Sequence, residues 1–216
     1  MDYHFIKTLI DKKLLKLTPE KPIIYTSGNS GPVYTDLRPL LSYPEIRNKI
    51  TDEFIKLIHQ KSLFPEIICG VATGAIGWAV LIADRLILPS IYVRKEQKNY
   101  GMNKQVEGIS PKSKDVIIIE DMIGYGVSSV AACKAVTGQG GNVKACMSIM
   151  NCNIKEADKN FKELQIPYYS LTDYREVINI ALKNNLLNNN QFNMINDWLN
   201  NPYGWYPNRI NELGKK

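Results

Sequence analysis

Two adjacent carboxylates at the end of an apolar run are the feature of this sequence best suited to chemistry. Residues 116–119 are Val-Ile-Ile-Ile, a run typical of a strand buried on both faces. Glu120 and Asp121 follow directly, and a Gly-Tyr-Gly turn comes at residues 124–126. Carboxylates at such a strand end suit the vicinal hydroxyls of a ribose or a hydrated metal ion.

The segment after the carboxylates has the pattern of an anion-binding turn. Ser128 and Ser129 precede a helical run at residues 130–136, so we expect them to cap that helix. At the carboxyl edge of a parallel sheet, such a turn directs backbone N–H groups at an anion, usually a phosphate. The stretch therefore predicts a ribose 5-phosphate site. The alternative is a solvated strand end and an ordinary turn. A dinucleotide motif is disfavoured because Ser129 replaces its third glycine.

Alternating strand and helix patterns around this stretch favour an α/β fold with a parallel sheet. Two extended pieces about a turn at residues 27–32 predict a hairpin within 23–38. The other elements follow from apolar periodicity. Helices are predicted at 3–16, 44–61, 78–86 and 154–164, from 173, and near Trp198, and strands at 64–68, 89–93, 142–150 and 167–171.

Composition bounds the class of protein. A chain of 216 residues with 44% hydrophobic and 22% charged residues is typical of one globular domain. Without a signal pattern or long apolar run, we expect a cytoplasmic protein with no membrane contact. The net charge of +6 is scattered except at 94–104, so we expect no nucleic-acid partner. The cysteines lack metal-site spacing, and Cys69 and Cys146 are predicted to be buried free thiols.

Three segments together resemble one enzyme family. Residues 117–128 resemble the signature of type I phosphoribosyltransferases, in which an acidic pair leads into a small, hydroxyl-rich loop. Ser-Gly at 27–28, Pro-Val-Tyr-Thr-Asp-Leu-Arg at 32–38 and Leu-Ser-Tyr-Pro-Glu-Ile-Arg at 41–47 resemble the N-terminal hood of orotate phosphoribosyltransferases. Tyr-x-Arg-Lys-x-x-Lys-x-x-Gly from residue 92, ending in Gln-Val-Glu-Gly at 105–108, resembles their mobile catalytic loop. The resemblance covers nearly the whole chain.

The resemblance implies a fold and a reaction. The fold is a parallel sheet flanked by helices, with a small hood mainly in residues 1–43 and a core of about 44–216. The reaction moves ribose 5-phosphate from 5-phosphoribosyl 1-pyrophosphate to orotate, giving orotidine 5′-monophosphate and pyrophosphate in pyrimidine nucleotide biosynthesis. Mg²⁺ is the implied cofactor, held mainly by the pyrophosphate near Glu120 and Asp121. The implied assembly is a homodimer whose loops complete the neighbouring sites.

The resemblance also assigns roles to residues. The implied catalytic residues are Arg94, Lys95 and Lys98, which offset the charge of the leaving pyrophosphate, and Asp121, which with Glu120 holds the ribose hydroxyls. Arg38 with the Ser27 and Gly28 backbone would bind the orotate carboxylate. The other implied substrate contacts are Tyr34 and Asp36 in the hood, Thr73, Gly74 and Ala75 for the pyrophosphate, Gly124, Tyr125, Gly126, Val127 and Ser128 for the 5′-phosphate, and Tyr100 and Asn151.

Several positions depart from the family pattern. Gly124 and Tyr125 replace hydroxyl residues, Val127 replaces a glycine, and Tyr100 replaces a histidine. A valine held at positive φ at position 127 would be strained, and Asn151 stands where the family has an aromatic residue or an arginine. Two alternatives therefore remain beside the orotate enzyme: a paralogue that uses another base, and a non-catalytic ligand-binding regulator on the same fold.

Overall fold

A computed structural model describes residues 3–25, 30–95, 105–203 and 205 of the chain. The chain divides into two compact units. The sheet unit comprises Leu37–Asn151 and Lys155–Leu171, and the terminal unit comprises Met1–Asp36, Cys152–Ile154 and Thr172–Lys216. The terminal unit thus combines N-terminal and C-terminal segments of the chain.

The elements alternate along the chain much as the sequence pattern indicates. In the described part they follow in this order: α1 (Tyr3–Asp11), β1 (Leu15–Leu17), β2 (Ile23–Ile24), β3 (Ser30–Gly31), β4 (Val33–Thr35), a 3-10 segment (Arg38–Ser42), α2 (Pro44–Gln60), β5 (Ile67–Val71), α3 (Ile76–Leu86), β6 (Ser90–Val93), β7 (Val106–Glu107), β8 (Asp115–Ile123), α4 (Val127–Gly138), β9 (Asn142–Asn151), α5 (Lys155–Leu164), β10 (Tyr168–Asp173), α6 (Tyr174–Lys183) and α7 (Asn189–Asn200).

A six-stranded sheet, in the order β10-β9-β8-β5-β6-β7, is the centre of the sheet unit. Strands β9, β8, β5 and β6 run parallel, and β7 pairs antiparallel with β6. The last pair of β5 with β8 joins Gly70 and Ile119, whereas β8 and β9 stay paired as far as Ile123 and Asn151. The predicted α/β fold is confirmed, and β8 and β9 project beyond β5 at the carboxyl edge.

Both faces of the central strands are covered, which explains the unbroken apolar run of β8. Val116 and Ile118 are fully buried in a cluster that includes Cys133 of α4 and Phe161 of α5. The opposite face packs on α3, since a Cβ atom at Gly70 would lie 2.9 Å from the Ala75 carbonyl oxygen. Strands enclosed in this way carry apolar residues at every position rather than at alternate ones.

The terminal unit builds its own small core from sequence-distant helices. Helix α1 packs against α6, and α6 packs against α7. The rings of Tyr174 and Trp198 lie 6.1 Å apart, and Thr35 Oγ1 is hydrogen-bonded to the Tyr174 hydroxyl at 2.9 Å. Asp173 caps α6 by accepting the Glu176 N–H at 2.8 Å. The apolar faces of the C-terminal helices thus pack with the N-terminal segment.

Of two local predictions near the N-terminus, the helix is wrong in its end point and the hairpin is confirmed. The expected helix at 3–16 ends at Asp11, because Lys13 takes a left-handed φ of +60° and the Leu14 N–H bonds the Leu9 carbonyl at 2.8 Å. The chain then continues as β1, which pairs with β4. The expected hairpin within 23–38 is confirmed in a shorter form, since β2 pairs antiparallel with β3 through Ile23 with Gly31 and Ile24 with Ser30. A continuous apolar pattern did not signal the helix end, which lacks the usual glycine.

Several smaller expectations are settled by burial. The first strand of the sheet begins at Ile67 and not at Phe64, which is 79% exposed. All four cysteines are buried free thiols, as the sequence predicted for Cys69 and Cys146. Among the described residues, no helix combines the length and apolar character needed to cross a membrane.

The buried centre of β8 generates a stability prediction. Replacing the fully buried Ile118 by alanine leaves a cavity, so we expect Ile118→Ala to lower the free energy of unfolding by about 2–5 kcal/mol in urea denaturation. The matched change Ile109→Ala, at a residue 54% exposed, should shift it by no more than about 0.5 kcal/mol. Equal effects at the two positions would contradict the proposed packing.

Candidate functional site

The acidic pair lies within strand β8 and not after its end. Glu120 pairs with Ser148 of β9, and the pairing continues through Met122 with Met150. The prediction that the strand stops at Ile119 is therefore wrong. The reason is that β9 supplies a partner strand as far as Asn151. Because neighbouring residues of a strand point to opposite faces, the two carboxylates face different surroundings.

Glu120 faces the first turn of α4. Its side chain is buried, and its Oε2 atom accepts hydrogen bonds from Ser128 Oγ at 3.2 Å and Ser129 Oγ at 3.3 Å. Burial, followed by the neighbouring Asp121 charge, raises the pKa of Glu120 from 4.5 to about 8. Burial thus favours the protonated form of the Glu120 carboxyl group.

Asp121 lies against the loop after β5. Its Oδ1 atom accepts the Met122 N–H at 2.8 Å, and its carboxylate covers Gly74, where an added Cβ would come 2.7 Å from Asp121 Cγ. The loop holds Thr73, Gly74 and Ala75, and its Ala72 N–H donates to the Val93 carbonyl of β6 at 2.8 Å. Only a residue without a side chain allows this approach of loop and carboxylate.

The turn after the carboxylates leads straight into a helix. Gly126 takes a left-handed φ of +78° and is the N-cap of α4, which begins at Val127 rather than at Val130. Val127 is a helical residue with a side chain 70% exposed, so its backbone carries no left-handed strain. Ser128 and Ser129 bond Glu120 and do not cap the helix, contrary to expectation. The first N–H groups of a helix lack partners within it and favour an anion.

Helix α5 supports this turn from the side. Asn160 Nδ2 donates to the Tyr125 carbonyl oxygen at 3.0 Å. A Cβ on Gly126 would lie 3.4 Å from Ala157 Cα and 3.5 Å from Phe161 Cε2, so helix and turn are in close contact. Asn160 was not predicted as a functional residue, because a single asparagine 35 residues from the turn carries no local signal. Ser129 was predicted as a helix cap and instead bonds Glu120.

Arg94 lies at the same edge of the sheet, directly after β6. Its N–H donates to the Gln105 carbonyl at 2.9 Å, and Gln105 Nε2 returns a bond to the Arg94 carbonyl at 2.9 Å. Arg94 Nη1 lies 3.5 Å from Glu107 Oε1. Lys95 is exposed. These contacts join the two ends of the predicted catalytic loop, whose Lys98 and Tyr100 lie outside the described residues.

The remaining predicted residues are divided between the units. Tyr34 and Asp36 belong to the terminal unit, where Tyr34 pairs with Lys16 and the Asp36 N–H donates to the Leu14 carbonyl at 2.8 Å. Arg38 is an exposed residue that begins the 3-10 segment of the sheet unit. Asn151 ends β9 and donates to the Tyr168 hydroxyl at 3.4 Å. Ser27 and Gly28 lie outside the described residues.

The donor set at this edge bears on the predicted metal ion. Within the ranges that the structure describes, no three His, Cys, Asp or Glu side chains are grouped for metal binding. Glu120 is buried and bonded to two serines, which leaves the partly exposed Asp121 as the carboxylate able to reach a metal ion. One carboxylate fits an Mg²⁺ ion held chiefly by substrate oxygens rather than by a protein cage.

Comparison with known proteins identifies the family. A family model described as phosphoribosyl transferase domain matches residues 40–179. The orotate phosphoribosyltransferase of Staphylococcus epidermidis is 36% identical over 201 residues, which cover 93% of this chain and 99% of that protein. The chain belongs to the orotate phosphoribosyltransferase family. The resemblance stated from the sequence is thereby confirmed.

Solved structures agree with this assignment to the orotate phosphoribosyltransferases. The enzyme from Aeropyrum pernix is 25% identical and matches with a TM-score of 0.72, covering 85% of this chain and 99% of that one. Leishmania donovani UMP synthase shares the fold, with a TM-score of 0.76 at 23% identity. That match covers 92% of this chain and 42% of the synthase, so this chain spans less than half of the synthase's length.

The buried acid of this orotate phosphoribosyltransferase fold predicts a pH effect on stability. Because the pKa of Glu120 rises from 4.5 to about 8 on folding, the folded state binds the extra proton between these values. Stability therefore falls as pH rises through that window, by at most roughly 1.4 kcal/mol per pH unit. Glu120→Gln removes this dependence. In urea denaturation from pH 5 to 8, the free energy of unfolding of the variant should therefore rise relative to that of the wild type.

The exposed change Glu163→Gln on α5 is the matched control and should parallel the wild type at every pH. Parallel curves for Glu120→Gln and the wild type would show that Glu120 is already ionised in the folded protein.

Proposed function

We propose that this protein is an orotate phosphoribosyltransferase that makes orotidine 5′-monophosphate. The bond from ribose C1 to pyrophosphate breaks, and a bond from C1 to a ring nitrogen of orotate forms. The observation that carries the proposal is the packing of Asp121 over Gly74. Asp121 is separated from the N-terminus of α4 only by the end of β8 and the Gly-Tyr-Gly turn. This arrangement offers neighbouring places to a pyrophosphate, a ribose and a 5′-phosphate. The orotate phosphoribosyltransferase relatives supply the identity of the base.

Electrostatics accounts for most of the catalysis. The leaving group gains negative charge while C1 becomes positive, so cations on one side and a carboxylate on the other stabilise the transition state. Arg94, Lys95 and Lys98 would serve the pyrophosphate, and Arg94 follows the strand that lies beside the Gly74 loop. The Asp121 carboxylate would favour the cationic sugar.

The opposite orientations of the two acids divide their roles. Asp121 faces the loop proposed for pyrophosphate, so it is the group we place beside the ribose hydroxyls and C1. Glu120 faces Ser128 and Ser129 and, through its hydrogen bonds to them, connects strand β8 to the first turn of α4. This division refines the expectation that both carboxylates hold the ribose.

Backbone groups would bind the 5′-phosphate. The turn lacks hydroxyl side chains at Gly124 and Tyr125, but the left-handed Gly126 and the start of α4 leave N–H groups for an anion. Ser128 lies in the first helical turn and would offer its backbone N–H, since its hydroxyl donates to Glu120 Oε2. Because an exposed helical Val127 leaves the turn open to solvent, its side chain does not exclude a phosphate.

Mg²⁺ completes the proposal as the cofactor. When bound, it would neutralise charge on the pyrophosphate oxygens, with Asp121 as the protein group able to hold it. Water must be excluded, or the donor would be hydrolysed, and the loop at 94–108 would close over the site.

We also propose that the protein is a homodimer and that it is cytoplasmic. Arg38, Ser27 and Gly28 are proposed to contact orotate.

Loss of single charged groups tests the reaction. Asp121→Asn removes the carboxylate beside C1, and Lys98→Ala removes a cation from the leaving group. We expect each variant to lower kcat by about 10²-fold. The assay measures orotate consumption in the presence of 5-phosphoribosyl 1-pyrophosphate and Mg²⁺. Lys134→Ala, an exposed change on α4, is the control. Absence of orotate turnover by folded wild-type protein would refute the proposal, and a panel of other bases would then be assayed.

The close contact of Gly74 with Asp121 predicts a second effect. An added Cβ would push the carboxylate aside, so Gly74→Ala should raise KM for the donor and lower kcat together, by about tenfold or more in kcat/KM. Gly138→Ala adds the same methyl group where no atom lies within 4 Å and should leave both constants unchanged. Equal values of kcat and KM for the two variants would contradict a role of the Gly74–Asp121 contact in the reaction.

A further inference from the structure

The phosphate turn departs from its family in side chains, yet its backbone has a defined support. Asn160 on α5 donates its side-chain amide hydrogen to the Tyr125 carbonyl at 3.0 Å. This contact joins a helix to the turn across 35 residues of sequence. Nothing in the proposed reaction needs Asn160 to touch a substrate. Its contact with the turn therefore calls for a separate explanation.

The geometry of one peptide bond supplies that explanation. Cis peptide bonds in the described chain occur only at Ala72–Thr73, so the bond between Tyr125 and Gly126 is trans. In a trans peptide the carbonyl and the following N–H point in opposite directions. With the Tyr125 carbonyl bound to α5, the Gly126 N–H faces away from that helix. A rotation of this peptide would lose the Asn160 bond.

Packing on α5 keeps the helix in place for this contact. Ala157 and Phe161, which flank Asn160, are buried against the core and lie beside Gly126. The Phe161 ring stacks on Tyr168 with centroids 4.6 Å apart. The Tyr168 hydroxyl donates to Asp158 of the same helix. Asn160 therefore projects from a helix that is anchored on either side of it.

We propose that Asn160 is a positioning residue for phosphate binding, which orients the Tyr125–Gly126 peptide so that the Gly126 N–H faces the 5′-phosphate. The assignment rests on the proposed function, because it takes this turn as the phosphate site. It explains how the turn retains its shape without hydroxyl side chains at Gly124 and Tyr125. The chemical class of ligand is a sugar phosphate monoester.

Two variants separate the hydrogen bond from packing. Asn160→Ala removes the donor, and we expect the dissociation constant for ribose 5-phosphate to rise about three- to tenfold in calorimetry. KM for 5-phosphoribosyl 1-pyrophosphate should rise to a similar degree with kcat nearly unchanged, as expected for a contact present in ground and transition states. Asn160→Asp has nearly the same shape but adds a negative charge that repels the phosphate. Its affinity for ribose 5-phosphate should therefore fall further than that of Asn160→Ala, and the difference should decrease at high ionic strength.

Pyrophosphate and a second asparagine are the controls. Pyrophosphate, proposed to bind at residues 73–75, should bind both Asn160 variants as it binds the wild type. Asn142 Nδ2 donates to Asp115 Oδ1 at the start of β9, at the opposite end of that strand. Asn142→Ala therefore removes a comparable bond and should leave ribose 5-phosphate binding unchanged. Urea denaturation verifies that each variant is folded.

The outcomes distinguish this inference from the proposed function. Selective weakening of ribose 5-phosphate binding in both Asn160 variants supports it. The inference is overturned if the folded Asn160 variants bind ribose 5-phosphate as tightly as the wild type. It is also overturned if they lose the same factor of affinity for pyrophosphate, or if Asn142→Ala weakens ribose 5-phosphate binding equally. Absence of ribose 5-phosphate binding by the wild type would overturn it as well. If the wild type binds ribose 5-phosphate but does not consume orotate, the proposed reaction fails while the role of Asn160 stands.

Discussion

The alternation of side chains along β8 is the constraint on which the site depends. Because consecutive strand residues face opposite sides of a sheet, Glu120 and Asp121 have different surroundings. One acid turns toward α4 and is enclosed by serines, and the other turns toward Gly74. The unequal lengths of β5 and β8 make this possible. Where β5 ends, the loop at residues 73–75 takes the space beside Asp121.

Burial then gives the two acids different chemistry. A carboxylate removed from water is costly unless it is paired, and the partners of Glu120 are hydroxyl groups rather than cations. Burial accordingly raises the pKa of Glu120, and its hydrogen bonds to the two serines connect strand and helix. Asp121 remains partly exposed and meets the loop proposed for the leaving group. The same strand thus provides one buried acid bonded to a helix and one partly exposed acid that we propose for the reaction.

The turn between β8 and α4 is the place where we propose that backbone groups, rather than side chains, hold a phosphate. Its left-handed residue is Gly126, which adopts that conformation without steric cost. The helix starts one residue later, so the bulky Val127 occupies an ordinary helical position and projects into solvent. Support comes from α5, through one amide hydrogen bond and the packing of Ala157 and Phe161. The departures from the family pattern are therefore compatible with the shape of the turn.

The sequence by itself determined the family, the α/β class and the segments that form the sheet edge, because unbroken apolar runs and helical periodicity report burial directly. It also located the acidic pair and the loops around it. Tertiary structure decided what those residues meet. That Glu120 bonds two serines and Asn160 holds Tyr125 depends on strand register and helix packing, which local patterns do not encode. The joining of both chain ends in one unit was likewise decided by apolar helix faces that local patterns cannot pair.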